Sequence, residues 1–264
     1  MNQLKKIFVV ALLFCLPFTS MAWGKTGHRI VGQIAESYLT PKAKAAIKAI
    51  LGNESIAMAS NWADFIKSDS AYNYLYNWHF VDVPDSFSKA DFKDFLEKDT
   101  AANAYNKLNF LIKELKDKNL SKDKKLLYLR MLIHIVGDIH QPLHVGRSSD
   151  LGGNKIKVKW FKDDTNLHAV WDDKLIDFQE LSYTEYANAI NFTTPAQRAA
   201  WQKTPIWQWL YESNQIAFSL YDEITEPEQK LSYSYNYEHY ATLNQQLLKG
   251  GVRLAGILNA IFGS

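Results

Sequence analysis

Apolar residues recur along this chain with a helical period. They fall at Leu126, Leu129, Ile133 and Val136 in one stretch, and at Leu108, Leu111, Ile112 and Leu115 in another. A repeat of three and four residues turns one helix face toward a core. Ser121 predicts an N-cap for a long helix over 122–140, and 88–118 holds one or two more. Thr40-Pro41, Thr194-Pro195 and Thr204-Pro205 each read as an N-cap followed by proline at the first helical position. The first of these opens a helix over 41–51 that Gly52 closes. Further helices are expected over 56–67, 166–178, 205–223 and 236–260. One segment breaks the pattern. After Gly152-Gly153-Asn154, the run Lys155-Ile156-Lys157-Val158-Lys159-Trp160 alternates with period two and predicts a strand in a small hairpin. Its lysine face either steers a polyanion or is the solvated face of an edge strand. Without repeats or long linkers, the pattern predicts a mainly α, single-domain, multi-helix protein with a small β-hairpin.

The first residues follow another logic. Lys5 and Lys6 precede the apolar run Ile7–Phe18, and Ser20-Met21-Ala22 places small residues at the −3 and −1 positions. Residues 1–22 therefore read as a signal peptide cleaved after Ala22, and the run is too short to span a bilayer comfortably. The mature domain would be 23–264, periplasmic or secreted, with no membrane insertion after cleavage. Cys15, the one cysteine, leaves with the leader. An exported chain without cysteine has no disulfides, so packing and metal must supply rigidity. Removing Lys5 and Lys6 also balances the 30 basic and 28 acidic residues, so bulk charge does not advertise a polyanion ligand. Trp and Tyr are dense over 72–80 and 201–240, as core residues or as platforms for stacked bases.

The chemistry lies in the histidines and aspartates. His134 and Asp138 are four apart on a helical stretch, which puts both side chains on one face. His168 and Asp172 repeat the spacing, and His144 follows the first pair closely. One such pair is a hydrogen-bonded helix pair as readily as a metal site; two pairs with a neighbouring histidine suit zinc or a similar first-row ion. Asp64 in Trp62-Ala63-Asp64 and His79 in Trp78-His79-Phe80, taken singly, read more readily as an exposed helix carboxylate and a core histidine than as ligands. Cleavage after Ala22 would free the Trp23 amine, which titrates near pH 8. That amine and the Trp23 carbonyl can chelate one ion, five residues before His28.

These motifs carry a resemblance. Trp23-Gly24-x-x-Gly27-His28, Trp62-Ala63-Asp64, Trp78-His79-Phe80-Val81-Asp82, the run His134 to His144, Gly152-Gly153-Asn154, His168-x-x-x-Asp172 and Gly251-Val252-Arg253-Leu254-Ala255 together resemble the zinc-dependent single-strand-specific nucleases that are also 3′-nucleotidases, the nuclease S-one and P-one type. The resemblance implies the helical zinc phosphodiesterase fold shared with phospholipase C. It implies three zinc ions. One is held by Asp64, His79, His134 and Asp138; a second by the Trp23 amine and carbonyl, His28 and the bridging Asp138; a third by His144, His168 and Asp172. His140 and His239 are left as supporting or structural histidines.

The implied reaction is hydrolysis of single-stranded DNA, RNA and 3′-nucleotides to 5′-phosphate products, with no stable protein partner. Asp64 would orient or deprotonate the attacking water. Lys67, one turn on, would offer charge to the transition state, or is an ordinary solvated lysine. Phe80 would stack a base, with Asp82 and Asn154 at its edge; their structural readings are core, loop cap and turn. Two alternatives remain. Zinc phospholipase C also begins at tryptophan, but it spaces its first histidine further away and carries glutamate where Asp172 stands. A non-catalytic zinc-binding protein needs no bridging aspartate.

Overall fold

The computed structural model describes residues 23–84 and 86–263. The leader expected over 1–22 lies outside them. Thirteen helices are assigned among the described residues: α1 (Lys25–Ser37), α2 (Pro41–Leu51), α3 (Ile56–Ala59), α4 (Trp62–Ile66), α5 (Lys89–Lys98), α6 (Ala104–Glu114), α7 (Lys122–Asp138), α8 (Leu167–Ala169), α9 (Leu175–Asp177), α10 (Tyr183–Ile190), α11 (Pro195–Lys203), α12 (Ile206–Asp222) and α13 (Tyr233–Phe262). A 3-10 segment spans Ser70–Trp78, and a wide π turn, Val170–Lys174, joins α8 to α9. The protein is mainly helical with a small sheet, as the sequence pattern predicts.

The helix signals act through identifiable groups. Thr40 Oγ1 accepts from the Ala43 amide, Ser121 Oγ from Lys124, and Thr194 forms a capping box with Gln197. Gly52 ends α2 at φ +67°, a conformation costly for any residue with a Cβ. The 88–118 stretch holds two helices, the upper of the two numbers expected, because Asn103 starts a new cap on the Asn106 amide. Three expectations are revised. The 56–67 helix is two, broken where Ser60 Oγ turns back to the Ala57 carbonyl. Thr204 does not cap α12. Its hydroxyl is engaged by the Trp201 carbonyl and the Trp209 indole, so Pro205 precedes the helix rather than opening it. The strand is Lys157–Trp160 (β1), paired antiparallel with Asp163–Asn166 (β2) and also, unforeseen, parallel with Gln229–Leu231 (β3).

The unforeseen α1 lies at the centre, packed between α13, α3, α7 and α10. Ile30, Val31, Ile34 and Ala35 are fully buried there, with Val31 and Ile34 set against Gly250 and Gly251 of α13. Each aliphatic side chain of this kind contributes about 1.5–3 kcal/mol of burial energy. From Met131 to Asp138 every residue of α7 is buried. A helix end so deep needs partners for its last carbonyls. Ser213 Oγ donates to Ile139 O, Gln246 Nε2 to His140 O and Asn214 Nδ2 to Val145 O. Helices α12 and α13 thus hold the end of α7 and the following turn, which carry the chemistry.

Candidate metal centre

Asp138, at the buried C-terminus of α7, lies at the middle of a cluster. Its carboxylate is 3.0 Å from His79 Nδ1, 3.2 Å from His134 Nε2 and 3.3 Å from His28 Nε2. These residues come from three places: α1 supplies His28, α7 supplies His134 and Asp138, and the end of the 3-10 segment supplies His79. Asp64 on α4 approaches from the open side, with Oδ1 3.8 Å from His134 Nε2. The His28 and His134 rings stack with centroids 3.9 Å apart. That approach is possible because Gly137 faces His28; a Cβ there would stand 2.7 Å from its Nδ1.

A second cluster lies alongside. His144 follows α7, His168 lies on α8, and Asp172 lies within the π turn. His168 Nε2 is 3.1 Å and His144 Nε2 3.9 Å from the Asp172 carboxylate. Three groups, His28–Asp64–His134, His79–His134–Asp138 and His144–His168–Asp172, each bring one ligand atom per residue to within 4.8 Å of the others. The structure thus gathers every predicted histidine and aspartate ligand into two adjoining clusters. Trp23 is fully buried beside them, its indole nitrogen without a partner, and the Gly24 amide donates to Asp172 O.

The rings are aimed. His134 Nδ1 bonds to Ser60 O, His144 Nδ1 to His79 O and His168 Nδ1 to Gly152 O, at 2.6–2.8 Å. A ring that donates from Nδ1 to a carbonyl presents the Nε2 lone pair inward. Burial pushes His144 down to about 3 and His79 down to about 4, the latter against its contact with Asp138. For Asp64, burial works upward, but His134 and Lys67 outweigh it and hold the carboxyl at about 2. Neutral imidazole and ionised carboxylate are the forms that bind a divalent metal. Two groups depart from this: burial raises Asp172 to about 7, against the pull of His168, and for His134 burial works downward but Asp138 and Asp64 outweigh it and raise the imidazole.

The fit to a metal rests on orphaned atoms. His28 Nδ1 and Nε2, His79 Nε2, His144 Nε2, Asp64 Oδ2 and Asp138 Oδ1 are buried without hydrogen-bond partners. Such groups are rare, and each costs about 1–3 kcal/mol. Six around two clusters make sense as donors waiting for cations, and the nitrogen–oxygen set suits zinc.

A cavity of about 580 Å³ opens beside the second cluster, lined by His144, His168, Phe80, Asp82, Asn154 and Tyr76 among others. The chain 80–83 lies against 144–147 through Val81 N to His144 O and Val83 N to Gly146 O, which fixes Phe80 and Asp82 beside His144. Asn154 Nδ2 donates to Leu151 O, leaving its carbonyl oxygen for another partner. Burial and then Asp150 raise the Asp82 carboxyl. Lys67 Nζ lies 2.6 Å from Asp64 Oδ1 with its side chain one quarter exposed, so it is an ion-paired lysine at the cleft rather than a solvated one. His140 lies outside the clusters, its Nδ1 on Val136 O and its Nε2 beside Arg253. His239 pairs with Glu223.

The sequence reading missed three contributors. Gln141 donates from Nε2 to Asp172 and accepts from Leu143 N through Oε1, which locks the turn between the clusters. Asp173 lays its carboxylate over the Cα of Gly24, where any Cβ would collide with it. Tyr76 walls the cavity. Gln141 stood inside the His134–His144 run, but only its contact reveals a role; Asp173 carries no spacing signal, and Tyr76 was visible only as one of the aromatic residues of 72–80.

The family model described as S1/P1 Nuclease matches residues 23–263. Endonuclease 2 of Arabidopsis thaliana is 32% identical over 288 residues, spanning 97% of this chain and 96% of that protein. Endonuclease 4 of the same plant is 31% identical over 275 residues, spanning 93% and 91%. Nuclease P1 of Penicillium citrinum is 30% identical over 270 residues, spanning 92% and 98%.

Proposed function

This chain belongs to the S1/P1 nuclease family, a zinc-dependent family of phosphodiester hydrolases, and we propose that it cleaves unpaired DNA and RNA to 5′-phosphate products and removes phosphate from 3′-nucleotides. The observation that carries the reading is the adjacency of the His/Asp clusters to a cavity containing an aromatic ring and two polar side chains. The family relation sets aside the storage-protein alternative. The relatives named above are nucleases, which leaves the phospholipid alternative without support.

Three zinc ions are proposed. Asp64, His79, His134 and Asp138 would hold one; the Trp23 amine and carbonyl, His28 and Asp138 a second; His144, His168 and Asp172 the third. Bound zinc supplies positive charge for the phosphate and leaving oxygen, and makes water acidic enough to attack near neutral pH. Asp64 divides its work between its oxygens. Oδ1 is held by Lys67 Nζ, while Oδ2, buried without a partner, is the oxygen that would meet the zinc and so position the water held there. A carboxylate held at about 2 is a weak base, so Asp64 orients the water rather than storing its proton. Lys67 can bond a non-bridging phosphate oxygen while anchored by Asp64, as a point charge without the guanidinium's fork.

Phe80 would stack the base adjoining the scissile phosphate, with Asp82 and the Asn154 amide at its edge. A base inside a duplex cannot swing into a cavity, so the geometry selects unpaired strands. Residues 23–264 would form one catalytic domain, exported after cleavage at Ala22 to the periplasm or medium. Among the described residues no helix is long and apolar enough to cross a membrane. A hairpin oligonucleotide tests the selectivity. Cleavage confined to the loop supports the reading, and equal cleavage of the stem contradicts it.

A further inference from the structure

The cavity beside Phe80 does not end at its rim. Tyr76 and Asn77 form a wall shared with a second, shallower groove, whose other residues are Asn73 and Tyr74. All four belong to the 3-10 segment Ser70–Trp78. Leu75 and Trp78 anchor that segment in the core, and Tyr74 and Tyr76 each remain 56% exposed. Each exposed ring is braced edge-on by another: Tyr74 by Trp78 at 5.9 Å and Tyr76 by Phe80 at 5.8 Å. Tyr72 also stacks on one side of Tyr74, with centroids 6.5 Å apart, so the exposed part of the Tyr74 ring is what remains for a base. Behind Tyr74, Lys107 Nζ lies 4.9 Å from the Trp78 ring centroid, which adds positive charge to this side of the molecule.

We propose that the groove is a subsite for the nucleotide next to the one stacked on Phe80, with Tyr74 as its platform and the Asn73 and Asn77 amides at the base edge. The inference rests on the nuclease reading and extends it from one nucleotide to a short single strand. Continuity identifies the occupant. A strand whose base enters the Phe80 cavity carries its next nucleotide out along the sugar–phosphate backbone, and the Tyr76–Asn77 wall of that cavity also borders the groove. The chemistry agrees. A base offers a π face to tyrosine and a polar edge to an amide, and the stacking tolerates any base. An apolar protein segment would leave both asparagine amides unmatched.

The test compares zinc-loaded protein bound to phosphorothioate oligothymidylates of two and six nucleotides, by fluorescence anisotropy. The wild type is expected to bind the longer strand more tightly. Stacking on one aromatic ring accounts for a factor of about five to about 160. Tyr74→Ala should lose that factor for the hexamer, Tyr74→Phe should recover it, and Tyr74→Leu should not. Hydrolysis of a 3′-mononucleotide, which ends inside the Phe80 cavity, should be unchanged in all three. Cleavage of single strands with the same length dependence in Tyr74→Ala would overturn the subsite and leave the nuclease reading intact. Tyr74-dependent binding without hydrolysis would keep the subsite and remove the nuclease reading. Absence of binding by the wild type would remove both.

Discussion

Gly137→Ala separates stability from chemistry in this protein. A Cβ on residue 137 would stand 2.7 Å from His28 Nδ1 and 3.0 Å from its Cε1, both short of van der Waals contact. The ring must retreat by several tenths of an ångström. It has little room, being fully buried and stacked on His134 at 3.9 Å. Overpacking of this kind costs about 1–3 kcal/mol. Alanine in place of glycine inside a helix returns about 0.8–1 kcal/mol. The net loss is about 0–2 kcal/mol, well within the about 5–15 kcal/mol stability of a domain. For a domain of this size that lowers the melting temperature by no more than about 8 °C. The functional cost is larger, because a catalytic group displaced by about 1 Å costs about a hundredfold in rate. The variant should fold, bind less zinc and cleave single-stranded DNA at least about tenfold more slowly. Thermal melting, zinc content by mass spectrometry and initial rates measure the three. Wild-type zinc content and rate in the folded variant would refute the placement of His28 in the centre.

Four further outcomes are expected. Asp138→Asn removes the carboxylate shared by His28, His79 and His134 and should lower zinc content by more than one ion per chain; loss of one ion or none contradicts the bridging role. A methionine left before Trp23 should block the chelating amine and sharply lower activity, and full activity in that protein would eliminate the second zinc site as drawn. Arg253→Ala leaves Glu212 and His140 without their guanidinium partner and should cost about 3 kcal/mol in urea unfolding; a loss below about 1 kcal/mol would mean that the network is not structural. In the zinc-free protein His79 and His144 are depressed to about 4 and about 3, so each adds stability as pH rises toward the unfolded value near 6.5. Asp172 and Asp173, raised by burial to about 7 and about 6, act in the opposite sense from about pH 4 upward, but His140, held well below its ordinary value by burial and Arg253, is a third imidazole acting with His79 and His144. Chelator-treated protein should therefore melt at a higher temperature at pH 6.5 than at pH 4.5, and the reverse order would contradict the burial argument.

The sequence made the regular helices legible where periodicity and caps coincide, as at Thr40 to Gly52 and Ser121 to Asp138. It did not disclose α1, because Gly24 and Gly27 sit where a helix signal would be sought and the apolar Ile30-Val31-Ile34-Ala35 face lies just beyond. It placed His134 with Asp138, and His168 with Asp172, on shared faces, although the second pair is carried across a π turn rather than a regular helix. Position-specific spacing cannot show that His28 stacks on His134 or that Gln141 reaches Asp172, since both depend on how α1 and the His134–His144 turn meet in space. Tyr74 and Tyr76 were visible as part of an aromatic-rich stretch. Their exposure follows only from the 3-10 geometry that sends Leu75 and Trp78 inward.

The most direct test of the central claim is end-group analysis of a single-stranded DNA treated with the zinc-loaded chain beginning at Trp23, with and without chelator. The account predicts cleavage that the chelator abolishes and zinc restores, leaving 5′-phosphate and 3′-hydroxyl ends. No cleavage by fully loaded protein, or cleavage indifferent to the chelator, would contradict it.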